Sequence, residues 1–144
     1  MRELLAQESI VLEGVARTRD DAITEAGRLL VASGAVEESY LEAMHEREKS
    51  VSTLMGNGLA IPHGTNEAKS AIRRSAVSFV RYADAIDWNG KPADFVVGIA
   101  GAGDDHLAVL QALAGVFTDE SKIAELRAAQ TPQDVLDVLA REDA

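Results

Sequence analysis

Three side chains of this sequence stand where their types and spacing could do chemistry: His63, His106 and Arg47. His63 ends the run Gly58-Leu59-Ala60-Ile61-Pro62-His63-Gly64-Thr65, a short apolar stretch halted by a proline, a histidine and a glycine. Proline lacks an amide donor and glycine tolerates backbone angles that other residues avoid, so the chain is expected to leave regular structure where the imidazole appears. A histidine at such a junction can be a nucleophile, a general base or a metal ligand, because one ring nitrogen is free while the other is held by a hydrogen bond. The plainer alternative is a turn whose polar residue faces water.

His106 lies in Gly101-Ala102-Gly103-Asp104-Asp105-His106-Leu107, directly after an apolar run. It precedes Leu110 by four residues and Leu113 by seven, which puts it at the head of an inward helical stripe, in a first turn whose free amides favour an anion. Its other reading is a first-turn histidine paired with a nearby aspartate. Arg47 falls at helical spacing beside Tyr40 and Met44, on the buried side near a helix end. An arginine there must find an anion, and a structural ion pair with a carboxylate is the alternative. His45, at the fringe of the same stripe, reads as a satisfied or solvated surface histidine.

Together these residues offer two neutral nitrogens and one fixed cation, without an inward carboxylate pair. Phosphoryl transfer asks for such a set, since the protein must present a nucleophile in line and stabilise charge on the equatorial oxygens. Hydrolysis by paired carboxylates is poorly served. Zinc held by His63, His106 and Asp104 or Asp105 is possible in kind but lacks a recognised spacing. The two glycines before His106 resemble half of a dinucleotide fingerprint, yet its third glycine is replaced by His106, and the nucleotide reading is rejected.

The elements that position these residues follow an α/β pattern. Ser9 to Leu12 reads as a strand, and Thr18 with Asp21 opens a helix facing inward through Ile23, Ala26 and Leu30 and stopping at Gly34. A second helix spans about Ser39 to Glu48. Val51 to Gly58 reads as irregular, Leu59 to Ile61 as the strand delivering His63, and Glu67 to Arg74 as a charged connection with a turn of helix. Ser75 to Tyr82 is a strand that Ala85 to Trp88 continues toward an Asn89-Gly90 turn. Phe95 to Ala100 is a continuous apolar run, suited to a strand buried on both faces of a mainly parallel sheet. A helix capped by Asp104 follows, with the stripe Leu107, Leu110, Leu113, Ala114 and Phe117, then a helix over Ser121 to Ala129. Thr131-Pro132-Gln133-Asp134 starts the last helix, with Val135, Val138 and Leu139 inward. The fold class is therefore α/β: one domain over residues 1–144, a mixed, mostly parallel sheet flanked by helices on both faces.

A chain of 144 residues, 47% hydrophobic, suffices for a single core. With 24 acidic against 14 basic residues the net charge of -10 repels phosphate backbones and argues against nucleic acid as a partner. The absence of cysteine excludes disulfides, thiolate metal sites and a cysteine nucleophile. No apolar run approaches the roughly 20 residues that span a bilayer, and the expectation is a cytoplasmic protein without cofactor or metal and without direct membrane insertion.

The runs GNGLAIPHGTNEAK, AMHEREK and DFVVGIAGAGDDHLAVLQALA resemble the enzyme IIA component, mannitol/fructose type, of the phosphoenolpyruvate-dependent sugar phosphotransferase system, in that family's order and spacing over almost the whole chain. The resemblance implies that His63 is phosphorylated, receiving its phosphoryl group from the phosphocarrier protein HPr and passing it to a cysteine of the matching enzyme IIB, which serves a membrane IIC component. It implies that His106 and Arg47 line the site and stabilise the phosphoryl group, and that the ring nitrogen of His63 farther from the backbone is the one modified. AIPHGT and GDDHL lean toward the mannitol branch; the alternative is a fructose-type or nitrogen-regulatory IIA protein whose phosphorylation state is read by a partner. Leu54 stands where relatives often carry an aromatic, and with no attached IIB or IIC domain a free-standing carrier is expected. Leu54, Met55 and Leu59 are the expected apolar rim for docking, with the acidic charge setting approach.

Overall fold

Local signals near the N-terminus act where the sequence places them. The Thr18 side chain accepts a hydrogen bond from the Asp21 amide at 3.2 Å and opens α1 (Arg19–Ala32), whose face Ile23, Ala26 and Leu30 is fully buried. α2 (Ser39–Ser50) packs beside it with Tyr40, Leu41 and Met44 inward. The computed structural model describes residues 3–141.

Five strands form one mixed sheet in the order β1-β4-β5-β3-β2. β1 (Ile10–Val11) runs parallel to β4 (Ala76–Trp88), and β3 (Leu59–Ala60) runs parallel to β5 (Lys91–Ala100); β4 with β5, and β2 (Leu54–Gly56) with β3, pair antiparallel. The β4–β5 hairpin turns through Asn89 and Gly90 at φ of 56° and 92°, the paired left-handed geometry that matches strand twist. β5 sits mid-sheet and is buried on both faces, as its unbroken apolar run requires.

Side chains alternate across this sheet and build two cores. Val77, Phe79, Phe95, Val97 and Ile99 pack under α3 (Asp105–Phe117), α4 (Glu120–Ala128) and α5 (Pro132–Ala140); Ala76, Val80, Tyr82, Val96 and Ala100 pack under α1 and α2. At the end of the chain Thr131 and Asp134 bond each other's amides, both at 3.1 Å, completing the expected capping box. Among the described residues no helix is long and apolar enough to cross a membrane.

Three local expectations are corrected. The segment expected to be irregular holds β2, which reverses through Asn57 and Gly58 at φ of 54° and 82°; this is the same dipeptide signal as Asn89-Gly90. In α3 the buried stripe is Val109, Leu113, Val116 and Phe117, while Leu107 and Ala114 face solvent. Nine of the thirteen positions of that helix are apolar, so periodicity alone could not choose the face. Asp104 holds the cap position, but at φ -86° and ψ -1° it has left the extended region that aims a side chain at the first-turn amides, and it makes no cap bond.

Phe95 joins the sheet to α3: its ring centroid lies 5.8 Å from that of Phe79 and 5.4 Å from that of Phe117. Truncation there opens a cavity the surrounding strands cannot collapse into. Phe95→Ala is expected to cost about 3–5 kcal/mol in urea unfolding, and a loss below about 1 kcal/mol would contradict this packing.

Candidate functional site

The backbone between β3 and the first histidine is fixed from both sides. The Ile61 amide donates to the Thr53 carbonyl at 3.0 Å, and the Ile99 amide of β5 donates to the Pro62 carbonyl at 3.0 Å. His63 then pairs with Ile99 in an isolated parallel bridge, so the chain keeps the direction of the sheet after β3 has ended. Pro62 suits this position because the sheet asks it only for a carbonyl.

The His63 ring is oriented by its own backbone. Nδ1 lies 2.8 Å from the Ile61 carbonyl, and a carbonyl can only accept. Nδ1 therefore carries the hydrogen, and Nε2 keeps a lone pair directed away from that bond. Tyr40 holds the next residue: its hydroxyl accepts from the Gly64 amide at 2.9 Å and donates to the Ile99 carbonyl at 2.9 Å. A side chain at position 64 would fall 2.5 Å from the Tyr40 ring, so the contact needs glycine.

His106 arrives from the other side. Its ring centroid is 4.8 Å from that of His63, tilted by 55°. Gly101 makes this approach possible, since a Cβ there would lie 2.6 Å from the Cβ of His106. No carboxylate among the described residues pairs with the His106 ring, so the aspartate-paired alternative is not what the fold builds. Arg47 is half-buried, donates to the Val51 carbonyl at 2.6 Å, and likewise has no carboxylate partner among the described residues. All three expected residues line one cavity of about 250 Å³ with Tyr40, Gly64, Lys69 and Gly101. His45 stands apart, with Nε2 2.9 Å from the Thr24 hydroxyl, as a satisfied histidine.

Sequence reasoning missed three supporting residues. Glu48 is 4% exposed, and its carboxylate accepts from the Thr53 amide at 3.0 Å, from the Thr53 hydroxyl and from the Trp88 indole at 3.1 Å. Its signal was its place four residues after Met44 in the inward stripe of α2. Tyr40 was read only as apolar surface, and Lys69 carries no periodic signal. The expected rim also changes: Met55 is 57% exposed and Leu54 half-buried, but Leu59 at 2% belongs to the core, whereas Leu107, next to His106, is 59% exposed. Leu59 turns inward because β3 is covered by α3 on that face.

The surroundings lower both imidazoles below the ordinary histidine value and so favour their neutral forms. Burial is the main cause pushing His63 below the ordinary value of 6.5; the bond to Ile61 opposes it, the charges of Arg47 and Lys69 add to it, and Glu48 pulls upward. His106 is pushed down by burial first, then by His63, Lys69 and Arg47. Among the described residues no group of three or more His, Asp or Glu side chains is placed to hold a metal ion. The cavity thus presents a neutral, lone-pair nitrogen to a space whose cations would hold an anion.

The family model described as phosphoenolpyruvate-dependent sugar phosphotransferase system, EIIA 2, matches residues 3–142. The chain belongs to this family. Mannitol-specific phosphotransferase enzyme IIA components are similar along their length: that of Staphylococcus aureus is 40% identical over 144 residues, covering 100% of both chains. That of Halalkalibacterium halodurans is 42% identical over 133 residues, 92% of each. Among solved structures, the enzyme IIA of the Escherichia coli mannitol system, in complex with phosphorylated enzyme IIB, superposes with a TM-score of 0.88 at 35% identity, over 96% of this chain and 99% of that one. The mixed sheet with helices on both faces is thus the architecture of this IIA family.

Protonation of His63 at Nε2 would remove its lone pair, and burial places the protonation of both rings on the acid side of 6.5. Ring C–H signals of His63 and His106 followed by NMR are expected to titrate below 6.5, with the Nδ1–H tautomer of His63 seen in long-range proton–nitrogen spectra. A midpoint at or above 6.5, or the Nε2–H tautomer for His63, would contradict the geometry.

Proposed function

We propose that residues 1–144 form one enzyme IIA domain acting as the phosphoryl carrier of a mannitol-specific phosphotransferase system. In this reading His63 accepts a phosphoryl group from phospho-HPr and passes it to a cysteine of enzyme IIB, with Arg47 and His106 stabilising the group. The observation that carries it is the His63 ring: Nδ1 is tied to the Ile61 carbonyl, which leaves Nε2 as the nucleophile in a cation-lined cavity. The names of the mannitol-specific relatives and the Escherichia coli complex with phosphorylated enzyme IIB support the sugar and the partner.

The transfer balances without a base. The Nε2 lone pair forms the new N–P bond as the donor's P–N bond breaks, and that electron pair returns to the donor imidazole. The hydrogen on Nδ1 stays in place, so the His63 ring becomes positive while the Ile61 carbonyl accepts its strengthened hydrogen bond. Onward transfer reverses this: a thiolate of the partner forms an S–P bond, and the N–P pair returns to Nε2. Arg47 meets the equatorial oxygens, and His106, neutral and 4.8 Å away ring to ring, can offer its own N–H. The exposed Met55 and Leu107 supply a short-range apolar contact for partners, while the net charge of -10 attracts a basic face from farther out.

Incubation with phosphoenolpyruvate, enzyme I and HPr is expected to add one acid-labile, base-stable phosphoryl group, lost entirely in His63→Ala. Label that persists in the variant, or that resists acid, would sink the assignment.

Arg47→Ala and His106→Ala are expected to fold but to accept phosphate up to roughly 100- to 1000-fold more slowly, about 3–4 kcal/mol of lost transition-state stabilisation. Wild-type rates from phospho-HPr in both variants would make these residues structural only.

A further inference from the structure

Lys69 stands on the short 3-10 segment Asn66–Ala71 that follows His63. Its ammonium donates to the Gly101 carbonyl at 3.2 Å, the residue against which His106 packs. An ammonium has three donors, and among the described residues that single neutral carbonyl is its only partner. The side chain lines the cavity with His63, His106 and Arg47, and its charge acts on both imidazoles.

Lys69 is exposed and its protein partner is a neutral carbonyl, whereas a bond to an anionic oxygen is about twice as strong as a neutral one. Arg47 spends one nitrogen on the Val51 carbonyl at 2.6 Å and approaches from α2, one side only, so it cannot surround three equatorial oxygens alone. Glu67 also lines the cavity, and its carboxylate opposes a phosphoryl group unless a cation offsets it. Lys69 reaches the same space on a flexible four-carbon stem.

Resting on the reading that His63 is phosphorylated, we propose that Lys69 is a further catalytic residue: its ammonium moves from the Gly101 carbonyl to an equatorial oxygen of the phosphoryl group on His63 Nε2. No bond to Lys69 forms or breaks in the transfer. Its charge neutralises the group as it arrives from the donor and returns to the Gly101 carbonyl when the group departs, so the site alternates between two hydrogen-bonded states.

The test compares wild type, Lys69→Met and Lys69→Arg, each phosphorylated by phospho-HPr. Single-turnover acceptance is expected to fall roughly 10- to 100-fold in Lys69→Met and to recover substantially in Lys69→Arg. A merely structural lysine would not move the second readout, the phosphorus NMR signal of phospho-His63 as a function of pH. The charged groups facing the phosphoryl are Arg47, Lys69, His106 and Glu67, with Tyr40 and buried Glu48 behind them. The ammonium favours the dianion, so the phosphoryl signal should titrate at higher pH in Lys69→Met than in wild type. Acceptance at the wild-type rate with an unmoved titration would overturn the proposal. Should Lys69→Met not fold, the ammonium signals of Lys69 in the wild-type protein decide: a shift on phosphorylation supports it and unchanged signals overturn it. Wild type that takes no label overturns the carrier reading itself, whereas labelled wild type with an indifferent Lys69→Met overturns only the role of Lys69.

Discussion

The hydrogen bond from His63 Nδ1 to the Ile61 carbonyl, 2.8 Å long, sets which nitrogen of the ring keeps its lone pair, and much of the fold serves to hold its two ends still. The acceptor is a backbone group two residues earlier, so its direction is only as fixed as the peptide at Ile61 and Pro62. That peptide is gripped on one side by Thr53 and on the other by Ile99 of β5. Thr53 is in turn held by the buried carboxylate of Glu48, which also takes the indole hydrogen of Trp88 at the end of β4. A buried carboxylate is costly unless its oxygens are filled, and here three donors fill them. The result is a continuous run of hydrogen bonds from a buried carboxylate to the His63 ring.

Two cations, Arg47 and Lys69, line the site of a protein that is acidic as a whole, with the Glu67 carboxylate beside them. The net charge of -10 is spread over the surface, where salt screens it, while Arg47 and Lys69 converge on a half-buried cavity where screening is weaker. Burial first, and then the two cations, lower both histidines toward the neutral form, and the same cations would suit the charge of a phosphoryl group in the proposed role. Glu48, behind His63, tempers this field from the protein side.

Much of this was legible in one dimension because the signals were local or sharply periodic. Thr18 with Asp21, Thr131 with Asp134 and the Asn89-Gly90 turn act within a few residues, and the apolar run of β5 allows only a strand covered on both faces. Pro62, His63 and Gly64 mark a break in regular structure at an imidazole. Signals failed where the pattern was saturated or overlooked: α3 is apolar on nearly every side, so its buried face was set by contact with β5, and Leu59 was assigned to a rim although it lies under α3.

By itself the sequence determined the chemistry that was possible: two imidazoles and one guanidinium in motifs of a known family, no thiol, no inward carboxylate pair and a chain able to build one α/β core. Only the tertiary structure decided how those groups meet. The parallel pairing of β3 with β5 brings His63 beside Ile99, and the missing side chain at Gly101 lets His106 approach from the following helix, 43 positions along the chain but 4.8 Å away ring to ring. Glu48, Tyr40 and Lys69 join them for the same reason, since strand pairing and helix packing bring together residues whose separation along the chain carries no periodic trace of their meeting.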